Sequence, residues 1–550
     1  MQNYPQRAIA GSAAHAGLRT VDARTASRGS QWLLLGVIVV STLLLAVRLN
    51  VDSNLADDPV QKNVAELVLH GQRPHANFSY AYTGGLVYLH ALALRIFGDR
   101  ELSLRLMLLV FFVAWLPSFW YIARKLTSPI GAALLTLLAA VWSVPIYPSP
   151  LGTWYGLYFA TFGTAALFRY IENRRSRWVF VAGVLAGLSF LMKVSGLYFL
   201  LAAVLFLVFD EQSVQDEVRY GEHEVPDSTY SVLLTLVLVG LDIILLLLLR
   251  SRANITEVYH FALPGIALSF LLIVREWGMP RFPVPVRLWQ IGGRLLPLLL
   301  GAFIPVIVFL TPYVSSGTLG KWFLETLVMP AIGWQAAFHS AINPVGALCA
   351  IPLLVILLIN AEVRSNTARR LAFVALCLAG AESLNLALVH PEFARWVWVS
   401  AATAIPITTA IGVFLLLSGT KKGQGKQRSQ LMLLIAVAGL CSLVQFPLSA
   451  PVYFCCVVPL GILAFIGLAN LVSDGRPMLL LLPLAGFYLA FVTLLILPNK
   501  IYREGLSFRL SPGAAIAAPP AVGMENPGTG GGSSERSATS GPHADGLGRR

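Results

Sequence analysis

"WLLLGVIVVSTLLLAV", residues 32–47, decides the fold class, and "SNLADDPVQKNVAELVLHG", residues 53–71, follows close behind it. The first run is uncharged and, with its flanks, reaches the ~20 apolar residues that cross a bilayer as a helix. The second sets two carboxylates, Asp57 and Asp58, just past that span. The apolar pattern then recurs to about residue 500. Of 550 residues, 56% are hydrophobic and only 12% are charged, with a mean hydropathy of +0.71. Soluble domains are about a quarter charged, so the chain is an all-α polytopic membrane protein.

Apolar runs centre on 31–48, 104–124, 129–147, 153–171, 178–193, 195–209, 231–250, 258–275, 293–313, 343–360, 370–389, 397–418, 429–447, 452–472 and 478–497. They predict a bundle of about 13–15 transmembrane helices. The stretch from Val179 to Phe209 exceeds one span, so a tight turn is expected near Lys193–Gly196. Three regions follow: a cytoplasmic segment over 1–30, a membrane domain over 31–500, and a tail over 501–550. The tail's Gly, Pro, Ala and Ser content predicts disorder, because it cannot bury enough apolar surface to order itself.

The formal net charge of +13 encodes orientation and contact with anionic lipid, with no nucleic acid implied. Basic clusters at Arg7–Arg28, Arg124–Lys125, 172–177, 275–281, 364–370 and 421–428 fall on one side, read as the cytoplasm. The connector "DEQSVQDEVRYGEHEVPD" (210–227) reads as part of a solvated acidic loop over 210–230 on that side. A first outer loop over 49–103 lies opposite. The protein is thus expected in the inner or plasma membrane, multi-pass, with a cytoplasmic N-terminus. Five cysteines, all inside apolar runs, read as small core residues.

Within the first outer loop, Asp58 before Pro59 is a natural N-cap, and Gln61 completes a capping-box pattern. Val60, Val64, Leu67 and Val68 would form the apolar face of a short interfacial helix that Gly71 stops. Asp57 is left over, free to accept a proton from an acceptor group or to help hold a metal. Arg105 reads as a snorkelling arginine at the start of the next span. Gly183 and Gly187 make a small-xxx-small packing face. Lys193, between two apolar runs, either marks the turn or awaits an anionic partner such as a phosphate. Tyr82, Lys321, Trp322, Glu325, His339, His390, Arg395 and Tyr453 gather on the same outer side. As a set they suit an anionic headgroup and a sugar, and singly they read as interfacial anchors.

The acid pair, the "GLSFLMKVSG" turn (187–196) and the Tyr453–Pro459 part of "FPLSAPVYFCCVVPLGILAFIGLANL" (446–471) resemble the GT-C glycosyltransferases. The nearest group is the protein O-mannosyltransferases of family 39 and the bacterial aminoarabinose transferases. The resemblance implies a sugar donor linked to polyprenyl phosphate, an acceptor of unspecified lipid, glycan or protein nature, and transfer on the extracytoplasmic face. It implies Asp57 as general base and Asp58 as the second acid, with a divalent metal held by that pair if one is used. Donor contacts fall to Lys193 and Arg395, with Tyr82, Tyr453, His390 and Lys321 around them. Two departures stand out: "YAYTGG" (80–85) replaces the family's Lys-Pro pair, and "YPSPLGTWYG" (147–156) lacks the second-loop acid. A secondary transporter, a flippase for lipid-linked sugars and a catalytically degenerate relative are the alternative readings.

Overall fold

The computed structural model describes residues 29–49, 57–80, 82–217, 228–250, 254–279, 283–328, 343–418, 424–446, 449–474 and 478–496. His339, the N-terminal segment and the 501–550 tail lie outside them. Two compact units divide at Leu510, and every described residue belongs to the first.

In chain order the principal helices are α1 (Gly29–Arg48), α2 (Asp57–Leu69), α3 (Gly85–Phe97), α4 (Glu101–Leu126), α5 (Pro129–Val141) and α6 (Gly152–Asn173). Then come α7 (Ser176–Met192), α8 (Leu197–Glu217), α9 (Thr229–Leu249), α10 (Ile255–Trp277), α11 (Val284–Ser315) and α12 (Pro344–Glu362). The last five are α13 (Asn366–Val389), α14 (Pro391–Leu417), α15 (Gly425–Gln445), α16 (Val458–Val472) and α17 (Leu481–Ile496). Among the described residues, eleven helices are long and apolar enough to span a membrane, and α3, α7, α16 and α17 are shorter apolar helices. Every one of the fifteen expected spans is helical. The 452–472 run is divided, with a short helix Pro451–Cys455 ahead of α16. A polytopic all-helical membrane protein is the result.

The expected turn is present. Helix α7 ends at Met192, a single tight turn covers Val194–Gly196, and α8 starts at Leu197. The small-residue face on α7 also has its predicted use. A Cβ on Gly183 would stand 2.0 Å from the Leu298 carbonyl oxygen, and one on Gly187 would stand 2.3 Å from that of Ala302. Only glycine lets α7 and α11 meet backbone to backbone there. Helix α15 is buried along nearly its whole length and acts as the central post, whereas α9, α11 and α13 turn most of their surface outward.

Side-chain contacts sort the loops by end. Lys125 pairs with Glu172 at 2.5 Å, Arg174 pairs with Asp210, and Arg287 pairs with Glu211 and Glu276. The basic clusters near 124, 174 and 275–287 therefore share one end of the bundle. At the other end Arg48 reaches the Pro145 carbonyl, and residues 73–84 meet Leu191 and Glu325.

Three expectations change. Helix α2 begins at Asp57, so Asp58 lies inside its first turn and not ahead of it. The buried face of α2 runs through Gln61, Ala65 and Val68 against Ala91, Leu94 and Leu104, while Val60 is exposed. Its end is as expected: Gly71, at φ +83°, donates to Val68 and Gln72 donates to Leu67, the paired bonds of a glycine stop. At the opposite end, Asp210, Glu211 and Gln212 are buried within α8 and are not part of a solvated loop. The Asp210 and Glu211 carboxylates meet arginines, which offsets the desolvation that would otherwise expel them. Residues 218–227 of that connector lie outside the described residues.

Candidate functional site

The acid pair divides at its first residue. Asp58 is fully buried. Its Oδ2 accepts from Arg105 Nε at 2.6 Å, and its Oδ1 accepts from the Ser149 hydroxyl at 2.6 Å. Arg105 also donates to the Leu49 carbonyl at 2.6 Å. Arg105 is therefore no snorkelling residue, since it ties the end of α1 to α2 and α4. Ser149 sits in the loop between α5 and α6 and donates to Asp58. Gln61 is likewise redirected, accepting from the Tyr80 hydroxyl at 3.3 Å. Each Asp58 oxygen accepts one of these hydrogen bonds. Among the described residues no cluster of three His, Cys, Asp or Glu side chains is arranged to hold a metal. The side chain of Asp57 lies outside the described residues, although its backbone opens α2.

Lys193 caps α7 with an extended backbone. Its ammonium stands 5.7 Å from the centre of the Tyr82 ring and 5.1 Å from that of Tyr453. No carboxylate among the described residues pairs with it. The surrounding backbone is tightly drawn: a Cβ on Gly85 would meet the Leu191 carbonyl at 2.6 Å, and one on Gly152 would meet that of Met192 at 3.0 Å. Helices α3 and α6 thus start against the turn that presents the lysine. Lys193 is partly buried, and desolvation pulls its pKa down to about 8. Aromatic faces attract a cation but do not neutralise it.

Tyr82 reaches Lys193 from a loop sewn to two neighbours. The Thr83 hydroxyl donates to the Leu191 carbonyl at 2.5 Å, and Trp322 Nε1 donates to the Thr83 carbonyl at 3.0 Å. His75 is fully buried, with Nδ1 2.8 Å from the Glu325 carboxylate. A carboxylate can only accept, so Nδ1 carries the proton of this bond. Burial, working against the neighbouring Glu325, holds the His75 pKa below its ordinary value.

The expected binding residues therefore separate. Tyr82, Lys193 and Tyr453 converge. Lys321 is exposed and belongs to the neighbouring Glu325 group, 3.9 Å from that carboxylate. His390 is exposed at the junction of α13 and α14, and Arg395 is exposed one turn before Trp398; neither makes a described contact with Lys193. The roles of Arg105 and Ser149 were not read from the sequence. One signal was available: a second outer loop without an acid but with a serine beside two prolines.

Next to Tyr453, Phe454 lines an apolar cavity of about 100 Å³ with Leu138, Trp142, Ile405, Ile462 and Tyr488. Trp142 bridges its upper wall, with its ring 6.2 Å from Phe454 and 5.5 Å from Tyr488.

Residues 85–222 match the family described as dolichyl-phosphate-mannose-protein mannosyltransferase. The matched stretch runs from α3 to just past α8 and contains Arg105, Ser149 and Lys193. It supports a membrane glycosyltransferase of the GT-C type. No curated protein and no solved structure matches the chain.

Proposed function

We propose that this membrane glycosyltransferase takes its sugar from a polyprenyl-phosphate donor and transfers it on the extracytoplasmic face, with the N-terminus in the cytoplasm. The observation that carries the reading is the Lys193 ammonium, set beside two tyrosine rings and, among the described residues, paired with no carboxylate. A cation held this way fits a phosphate: it would bind the donor and stabilise the anionic lipid phosphate as the sugar departs. The tyrosine faces suit a sugar or an isoprenyl unit stacked beside it. The apolar cavity beyond Phe454 gives a hydrocarbon tail somewhere to lie.

Asp57 is the proposed base that accepts the proton of the acceptor group as its oxygen or nitrogen attacks the anomeric carbon. Asp58 supports that geometry from below, locked by Arg105 and Ser149. Arg395 remains a proposed contact of the donor phosphate, with His390 beside it; both are exposed on the α13–α14 side.

The test is turnover. Purified protein in detergent is incubated with polyprenyl-phosphate sugars and followed for release of lipid phosphate. Release that is lost in Lys193→Ala and in Asp57→Asn supports the reading. No turnover with any donor, or a full rate in Asp57→Asn, overturns it.

A further inference from the structure

We propose that Glu325 is a positioning residue for the donor site: through the 73–84 loop it holds Tyr82 over the Lys193 ammonium. The inference rests on the donor-phosphate reading above.

Glu325 lies in the segment after α11, roughly 130 residues along the chain from Lys193, and touches neither Lys193 nor Tyr82. Its carboxylate is 14% exposed and gathers three donors from one loop: His75 Nδ1 at 2.8 Å, the Ser79 hydroxyl at 2.9 Å and the Tyr80 backbone N–H at 3.3 Å. One turn earlier in the same segment, Trp322 binds the Thr83 carbonyl at 3.0 Å. Tyr82 therefore hangs between two anchored points, Tyr80 on Glu325 and Thr83 on Trp322 and Leu191. The Tyr80 ring also meets that of Tyr82 edge to face at 5.5 Å. The loop needs such a clamp because His75 sits at φ +62°, a left-handed conformation that a residue with a Cβ seldom adopts unaided. Three charge-assisted acceptor bonds to one carboxylate supply it. A carboxylate that served packing alone would not need its bonds concentrated on the segment that delivers the aromatic wall of the cation.

The full-length chain in detergent is titrated with a sugar-free polyprenyl phosphate. Glu325→Ala is expected to weaken binding five- to tenfold, and Tyr82→Leu by a similar factor. The double variant Tyr82→Leu/Glu325→Ala is expected to be no weaker than the worse single one, because both remove the same wall. Glu325→Gln, which keeps one acceptor oxygen, and Ser79→Ala, which removes one donor, are expected to lose twofold to threefold, and they serve should the alanine variant fail to fold. Hydrogen exchange across 73–84 is expected to quicken in step with the loss. Additive losses in the double variant, or unchanged affinity in Glu325→Ala and Glu325→Gln while Lys193→Ala abolishes binding, overturn the positioning role alone. Wild-type affinity in Lys193→Ala overturns the donor reading and the positioning role together.

Discussion

Arg287 and Lys193 are cations at opposite ends of the same helix, and the protein treats them in opposite ways. Fifteen residues of α8, from Leu197 to Glu211, lie between the two sites, roughly 21 Å at the helical rise. Arg287 is 2% exposed, sits 2.8 Å from both Glu211 and Glu276, and lies over the Tyr230 ring at 4.3 Å. Lys193 has the rings and, among the described residues, no carboxylate. A paired buried cation is closed to any ligand, since its field is already satisfied. An unpaired one is costly to the fold, and such a cost is retained where a ligand supplies the missing anion. The difference separates a joint of the structure from a site.

The sharpest way to break that comparison is to remove each cation. Arg287→Met leaves two buried carboxylates facing each other, and losing one partner of a buried pair costs about 3–5 kcal/mol. Thermal unfolding in detergent should show a large fall in Tm. Lys193→Met should leave the Tm unchanged or higher while donor binding weakens strongly. If Arg287→Met melts like the parent and Lys193→Met does not fold, the two roles are reversed.

The acid pair repeats the contrast between neighbours. Asp58→Asn weakens the bond to Arg105 and strands a buried guanidinium, so its damage should appear as lost stability. Asp57→Asn should keep the parent Tm and lose about 10²–10⁴-fold in turnover, the usual share of a general base. Equal stability losses in both would remove the distinction between them.

This pair also shows what the sequence could and could not reveal. Hydrophobic runs were long and uncharged enough to locate all fifteen expected spans but not α3, which lies in the expected 49–103 loop, and the Gly183–Gly187 spacing announced a close helix contact without naming α11, because both signals are local. Asp58 was misread as a cap for the same reason. Asp58-Pro59 with Gln61 is a complete local pattern, and nothing within it discloses Arg105, 47 residues away, or Ser149, 91 residues away. Likewise Asp210 and Glu211 look like the start of an acidic loop until the arginines that bury them are in view. Lys193 with Tyr82 and Tyr453 was legible as a group only through the family resemblance, since the contacts span over 250 residues of chain. Polar partners distant in sequence leave no periodic trace.

A smaller effect is expected from charge alone. A hydrogen bond to a charged group contributes about 1.5–3 kcal/mol, so Lys193→Ala should weaken lipid-phosphate binding by roughly 10–150-fold. The ammonium of the free protein loses its proton as pH rises through about 8. Binding should therefore be strongest below that value and fall above it, because the competent form is the protonated one. Lys193→Arg, whose guanidinium stays charged, should flatten that alkaline limb. A limb that survives the arginine belongs to another group.

The least effect, and the finest test of the comparison, comes from the wall of the site. Tyr453 contributes a ring face 5.1 Å from the ammonium and no described charge. A cation–π contact at such a site is worth about 0.5–1 kcal/mol, so Tyr453→Leu should cost roughly two- to fivefold in affinity for the lipid phosphate and Tyr453→Phe almost nothing. The corresponding change at the closed end, Tyr230→Leu, removes a ring from a cation that already has two carboxylates. It should alter stability slightly and binding not at all. If Tyr453→Phe were as damaging as Tyr453→Leu, the hydroxyl and not the ring face would be the working part. Lys193 would then be held by a hydrogen-bonding partner, closer in kind to Arg287 than its lack of a carboxylate suggests.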